Sequence, residues 1–232
     1  MTQPYFQDDA VTIYHGDCRE IVPTLGRFDL LLTDPPYGIG YEASRYQNAV
    51  FSGVIHGDDQ DFNPTFLLEL AEDAIIWGGN NFANFLPRGG WLVWDKRCSE
   101  RADKILGSPF ELAWCSKVTR YKIARILHGG AVNADGTGRR QHPTQKPLSL
   151  MTWCISLAGD VQTILDPFAG SGTTGRAAKD LGRKAVLIER EERYCEIAAR
   201  RMGQQCLAFG GDDAKRRVCG KESAHYDGPC LF

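Results

Sequence analysis

The chain has 232 residues, 43% hydrophobic and 24% charged, with a formal net charge of −2, which excludes a collagenous or disordered chain and fits one α/β domain with a sizeable core. No apolar stretch approaches the roughly 20 residues of a membrane-spanning helix, and the first nine residues lack the basic start and apolar run of a secretory signal. Eight cysteines without regular spacing then read as reduced thiols, so a cytoplasmic location with no membrane partner is expected.

In chain order, Val11 to Tyr14 predicts a short strand and Cys18 to Thr24 a short helix. Phe28 to Thr33 is an apolar run that predicts a buried strand. Residues 38–60 predict a loop long enough to be a lid or a DNA-contacting arm. Phe62 to Ala74 predicts a helix and Ala74 to Trp77 a strand, followed by a turn at Gly78-Gly79-Asn80-Asn81-Phe82. Trp91 to Trp94 and Phe110 to Lys117 predict strands, the latter as one arm of an antiparallel edge hairpin. Arg120 to Gln141 has four glycines and little periodicity, which predicts a mobile loop. Pro147 to Ala158 predicts a helix opened by proline. A strand at Thr163 to Leu165, a helix over 172–181, a strand at Lys184 to Ile188 and a helix over 191–202 complete the set. The expected organisation is a single domain over 1–209 and a tail over 210–232.

Two motifs carry the chemistry. Asp34-Pro35-Pro36-Tyr37 follows the buried strand directly. Prolines cannot donate to a sheet ladder, so the strand stops there and leaves Asp34 at its carboxyl end, where open α/β sheets place their sites. A carboxylate, a free carbonyl and an aromatic ring together suit an exocyclic amine on a planar base. The second motif is Asp166-Pro167-Phe168-Ala169-Gly170-Ser171-Gly172-Thr173-Thr174, a glycine-rich turn between strand and helix. The following strand ends at Glu189, 17 residues after Gly172. That is the layout of a nucleotide-type βαβ unit, in which an acid on the second strand binds ribose hydroxyls. Gly170 to Gly175 has Walker-A spacing, but Arg176 and Ala177 stand where Lys and Ser/Thr are required. The same glycines match the dinucleotide letters, yet an opening of Asp166-Pro167-Phe168 suits a zwitterionic adenosyl ligand better than a pyrophosphate.

Together these motifs resemble the S-adenosylmethionine-dependent DNA amino-methyltransferases, the adenine-N6 and cytosine-N4 enzymes. The catalytic tetrapeptide precedes the cofactor loop, an order that resembles the permuted β group. His142-Pro143-Thr144-Gln145-Lys146-Pro147 and His15-Gly16-Asp17-Cys18 are further matches. The resemblance implies a doubly wound, Rossmann-like α/β sheet, mostly parallel with an antiparallel edge hairpin and circularly permuted motif order. It implies S-adenosyl-L-methionine as cofactor. Asp34, Pro35, Pro36 and Tyr37 would be catalytic. Asp17 and Cys18 would lie at the adenine and Glu189 at the ribose. Asp34, Asp166, Phe168, Ala169, Gly170, Ser171, Gly172 and Thr173 would surround the methionine part. His142, Thr144 and Lys146 would hold its carboxylate.

Between Trp91 and Pro147 eleven basic residues face five acidic ones, leaving −8 for the rest of the chain. A polyanion needs only such a local basic face. Double-stranded DNA is therefore the expected partner, with Lys96, Arg97, Arg120, Lys122, Arg139 and Arg140 as candidate contacts and 95–141 as candidate target-recognition region. Asp at position 34 resembles adenine enzymes more than cytosine-N4 enzymes, where Ser is more usual. Cytosine-N4 methylation is the close alternative; an RNA or protein-amide methyltransferase and a non-catalytic DNA-binding module are more distant ones. Homodimerisation and a companion restriction endonuclease are compatible with the family. No metal site is expected: Cys206, Cys219, His225 and Cys230 fit no standard zinc spacing. The tryptophans at 77, 91, 94 and 114 read as core and strand residues, and the Asn80-Asn81 pair as either a base contact or a helix cap.

Overall fold

The computed structural model describes residues 3–40, 58–60, 62–97, 108–129, 132–133 and 145–204. Most of the predicted lid loop, the tail over 210–232, His142, Thr144, Arg139 and Arg140 lie outside these residues.

Eleven strands are formed among them: β1 (Phe6–Gln7), β2 (Val11–His15), β3 (Phe28–Thr33), β4 (Ala71–Trp77), β5 (Gly90–Asp95), β6 (Phe110–Cys115), β7 (Lys122–Arg125), β8 (His128–Gly129), β9 (Val132–Asn133), β10 (Thr163–Asp166) and β11 (Lys184–Glu189). The helices are α1 (Cys18–Ile21), α2 (Thr65–Leu68), α3 (Leu148–Ala158), α4 (Thr173–Asp180) and α5 (Glu192–Gly203). Nine strands form one sheet in the order β1-β2-β11-β10-β3-β4-β6-β5-β7, and β8 with β9 form a separate ribbon. Strands β2, β11, β10, β3 and β4 run parallel.

The sequence of β3 explains its central place. Leu30, Leu31 and Leu32 are all fully buried, so both faces of the strand are covered, as a parallel sheet requires. Leu30 and Leu32 pack with Leu150, Cys154, Ala177 and Ala198 of α3, α4 and α5. Leu31 packs on the other side with Ile21, Leu67 and Phe82. Each such leucine contributes about 2 kcal/mol through its burial.

Strand order reverses between β10 and β3: β10 leads to β11 on one side, and β3 to β4 on the other. The carboxyl ends at such a switch point leave a crevice for ligands. Asp166 and Asp34 stand at this place, one on each side.

The structure corrects four expectations. The predicted helix over 62–74 is confined to α2, and β4 starts already at Ala71, because Ala71 pairs with Phe28 in the sheet. Backbone pairing overrides the helical spacing of Phe62, Phe66 and Leu70. The predicted loop after Arg120 contains β7, whose Ala124 is buried while Lys122 and Arg125 face out. Strand β6 is no edge arm: it lies between β4 and β5, antiparallel to both, with β7 outermost. At the opposite edge β1 pairs antiparallel with β2, a strand too short to carry a sequence signal. Trp77, Trp94 and Trp114 are buried core residues as expected.

Candidate functional site

Four acids stand at the carboxyl ends of four adjacent parallel strands. Asp17 follows β2, Glu189 ends β11, Asp166 ends β10 and Asp34 follows β3. His15 pairs with Glu189 across the β2–β11 ladder, and the Gly16 amide donates to the Glu189 carbonyl at 3.0 Å. These acids were read from separate motifs, and the sheet sets them in one row.

Each has a defined local task. Asp17 caps α1, its Oδ1 accepting from the Arg19 amide at 2.9 Å. Glu189 accepts from the Gly170 amide and the Glu191 amide, both at 2.8 Å, and so holds the glycine loop against the next strand end. Burial raises its carboxyl above the ordinary value, against the pull of these amides. Asp166 is buried and accepts from Thr33 Oγ1 at 2.8 Å and the Phe168 amide at 3.1 Å. Burial pushes it up to about 6 despite hydrogen bonds from Thr174 and Thr33.

The glycine loop closes tightly. Gly172 takes the left-handed conformation, φ +76°, at the start of α4. A Cβ there would lie 2.8 Å from Ala198 Cβ on α5. Arg201 of α5 donates to the Ser171 carbonyl at 2.7 Å, Ser171 Oγ at 3.0 Å and Thr173 Oγ1 at 3.1 Å. Arg201 escaped the sequence reading because its role depends on how α5 packs back on the loop.

At the tetrapeptide both oxygens of Asp34 are bound. The Tyr37 hydroxyl donates to Oδ1 at 2.6 Å, and Lys146 Nζ to Oδ2 at 2.5 Å. Lys146 is buried and also lies 3.1 Å from Glu111 Oε2; Glu111 in turn pairs with Lys96. The result is a row of alternating charge: Lys96, Glu111, Lys146, Asp34. Burial raises the Asp34 carboxyl, and the Lys146 ammonium pulls it back. Burial alone would lower Lys146, but Asp34 and Glu111 hold it well above its usual value. Burial alone would raise Glu111, but Lys146 and Lys96 bring it down to about 2. Lys146 is thus placed on Asp34.

Asp58 holds the tetrapeptide from behind. Its Oδ1 accepts from the Tyr37 amide at 2.7 Å and the Gly38 amide at 3.0 Å. Asp58 is one of three aspartates within residues 58–61, and nothing in the sequence singles it out. Tyr37 meets Phe82 edge-on at 6.2 Å, Phe82 meets Phe62 at 5.5 Å and Phe62 meets Phe168 at 5.3 Å. This aromatic row joins the tetrapeptide to the cofactor loop. Asn81 Nδ2 donates to the Gly78 carbonyl at 3.1 Å, which holds the turn, and Asn80 is exposed. Cys18 is buried, and burial pushes its thiol up to about 11.

The basic candidates divide. Arg120 and Lys122 are exposed. Lys96 is occupied by Glu111 and lies over the Trp94 ring at 5.1 Å, and Arg97 is buried. Among the described residues no group of His, Cys, Asp and Glu could hold a metal, and no helix is long and apolar enough to cross a membrane.

A family model described as DNA methylase (N6/N4) matches residues 93–200. The Type II methyltransferase M.HinfI of Haemophilus influenzae is 30% identical over 256 aligned residues, covering 87% of this chain and 71% of that protein. The Type II methyltransferase M2.MboI of Moraxella bovis is 27% identical, covering 86% and 90%. Among solved structures, the M1.HpyAVI–SAM complex superposes with a TM-score of 0.55 at 24% identity, covering 84% of this chain and 100% of that one. The PvuII DNA methyltransferase, cytosine-N4-specific, gives 0.60 at 15% identity, covering 92% of each. These two structures show a shared fold, a mixed, mostly parallel methyltransferase sheet. With the sequence match to M.HinfI over most of both chains, this chain belongs to the N6/N4 DNA methylase family.

Proposed function

We propose that this methyltransferase transfers a methyl group to the N6 amine of adenine, in a base turned out of double-stranded DNA. The observation that carries the reading is the row of carboxylates Asp17, Glu189, Asp166 and Asp34 along the switch-point edge. Acids accept from an adenine amine and from ribose hydroxyls, and they favour a sulfonium cation. The same row would repel a pyrophosphate. The residues therefore fit S-adenosyl-L-methionine, which supplies an electrophilic methyl group.

In this reading Asp17 and Cys18 lie at the adenine end, Glu189 at the ribose, and Asp166 with Phe168 to Thr173 at the methionine part. His142 and Thr144 are assigned to the carboxylate of that part, with Lys146 close by but engaged on Asp34. The Asp34 carboxylate and the Pro35 carbonyl each accept one N–H of the target amine. That draws the nitrogen toward tetrahedral geometry and localises its lone pair for attack. Tyr37 stacks on the extruded base, which is unreachable inside a duplex. Holding both reactants in line supplies much of the rate, and no covalent intermediate with the protein is needed. Target recognition is assigned to 38–60 and 95–141, within a single domain over 1–209.

The test is incubation with methyl-labelled S-adenosylmethionine and mixed-sequence duplex DNA, then nucleoside digestion and mass spectrometry. N6-methyldeoxyadenosine is the expected product. N4-methyldeoxycytidine would overturn the base assignment and keep the chemistry. The Asp34→Ala variant should bind cofactor and lose at least about a thousandfold in rate, the scale of a lost preorganised acceptor. Near-wild-type methylation by it would sink the catalytic assignment.

A further inference from the structure

We infer that Glu111 is a positioning residue for methyl transfer: it takes over the Lys146 ammonium when Asp34 turns to the target amine. The inference rests on the reading of Asp34 as the amine acceptor.

Asp34 is a weakened acceptor as it stands, because Tyr37 donates to Oδ1 and Lys146 to Oδ2, and both draw off charge that the carboxylate would otherwise offer to a new N–H. Tyr37 leaves Oδ1 when its ring turns to stack on a base. Lys146 has no comparable exit. Its side chain is only 6% exposed, and a buried ammonium stripped of its anion costs several kcal/mol. It needs a second anion within reach.

Glu111 is that anion. Its Oε2 is buried and lies 3.1 Å from Lys146 Nζ, yet it receives no well-aligned hydrogen bond. That oxygen is ion-paired with the ammonium but takes no aligned hydrogen bond from it while the lysine points at Asp34. A small rotation of the lysine end trades one carboxylate for the other. Lys96 binds Glu111 Oε1 and keeps the acid ionised without using Oε2. The rings of Trp77, at 5.8 Å, and Tyr37, at 6.0 Å, flank the ammonium along its path. The arrangement preserves the total charge of the row, so the hand-over never leaves a bare ion.

The experiment uses the full chain in excess over mixed-sequence duplex DNA that the wild type methylates, with saturating labelled S-adenosylmethionine. Single-turnover rates are read for wild type, Glu111→Gln, Lys146→Gln and the double variant, with cofactor affinity and thermal midpoints beside them. Glu111→Gln is expected to slow the transfer at least tenfold, with cofactor affinity within twofold of wild type. A merely structural glutamate would not give that split. In the Lys146→Gln background the glutamate change should add nothing, because no ammonium remains to be moved. A Glu111→Gln rate within twofold of wild type overturns the inference, as does an undiminished effect in the Lys146→Gln background. If Glu111→Gln fails to fold, Glu111→Asp carries the same cycle, with about a threefold loss expected and the same two overturning results. Near-wild-type turnover by Asp34→Ala would instead remove the reading beneath it, and that result is independent of the cycle.

Discussion

At Asp166 the cost of burying a carboxylate at the strand edge can be measured directly. Its carboxyl is buried under the sheet edge and pushed up to about 6, while in the unfolded chain it titrates near 4. Between those values the native state binds more protons than the unfolded state. The contribution of this group to stability is therefore complete below about pH 4 and is lost as pH rises through about 6. At pH 8 the buried ion costs up to about 3 kcal/mol, from a shift of about two pKa units. Asp166→Asn keeps acceptors for Thr33 and the Phe168 amide and does not ionise. About half of that cost has accrued by pH 5, so its thermal midpoint relative to wild type should rise by about 3–6 °C between pH 5 and pH 8, at the few degrees per kcal/mol usual for this size. A pH-independent difference would place the raised proton on another group. A buried acid held at a cost at a switch-point edge is what the proposed cofactor site would require.

At the level of elements, a turn prepares Tyr37 as much as the tetrapeptide does. Gly78 follows β4 in the left-handed conformation, φ +69°, and an ideal Cβ there would lie only 2.1 Å from Tyr37 Cε1. Gly78→Ala should therefore cost about 1 kcal/mol for the backbone alone and push the ring from its seat beside Phe82. Methyl transfer should fall more than tenfold while cofactor affinity holds; a wild-type rate would mean that Tyr37 acts from another position. The strand and loop of each motif were legible in the sequence because proline and glycine punctuate them in place. Asp34 and Asp166 could be assigned to strand ends on that ground alone. Glu111 could not. It reaches the site because β6 runs antiparallel and so delivers its first residues to the edge where parallel strands deliver their last. Strand direction and order are long-range pairings, which local pattern does not encode. The same applies to α5, whose packing brings Arg201 to the loop, and to β7, whose four residues alternate too briefly to stand out.

Over the whole molecule, the positive segment between the motifs is not a uniform surface. Counting charges in the sequence treats Lys96 and Lys122 alike, and the fold separates them. Lys96 is paired with Glu111 as the outer end of the charge row, and Arg97 is buried, so neither is a free surface base. Arg120 and Lys122 are exposed, interleaved with Tyr121 at 78% and Ile123 at 46% exposure. Basic residues alternating with an exposed ring and an exposed aliphatic side chain suit a nucleic-acid strand, whose phosphates and bases need both charge and apolar contact. Strand β7 also runs parallel to β5, so its carboxyl end lies at the same edge of the sheet as Asp34. We propose that this edge meets the DNA. Each phosphate contact adds about 0.9 to the slope of log affinity against log salt. Replacing Arg120 and Lys122 together by Ala should lower that slope by up to about 2, measured by DNA binding between 50 and 200 mM salt, roughly the range over which such contacts dominate. Lys96→Ala should leave the slope unchanged and reduce turnover instead, because it strips Glu111 of its partner. A slope that drops for Lys96→Ala and holds for the double variant would move the DNA footprint from the β7 edge to the mouth of the charge row.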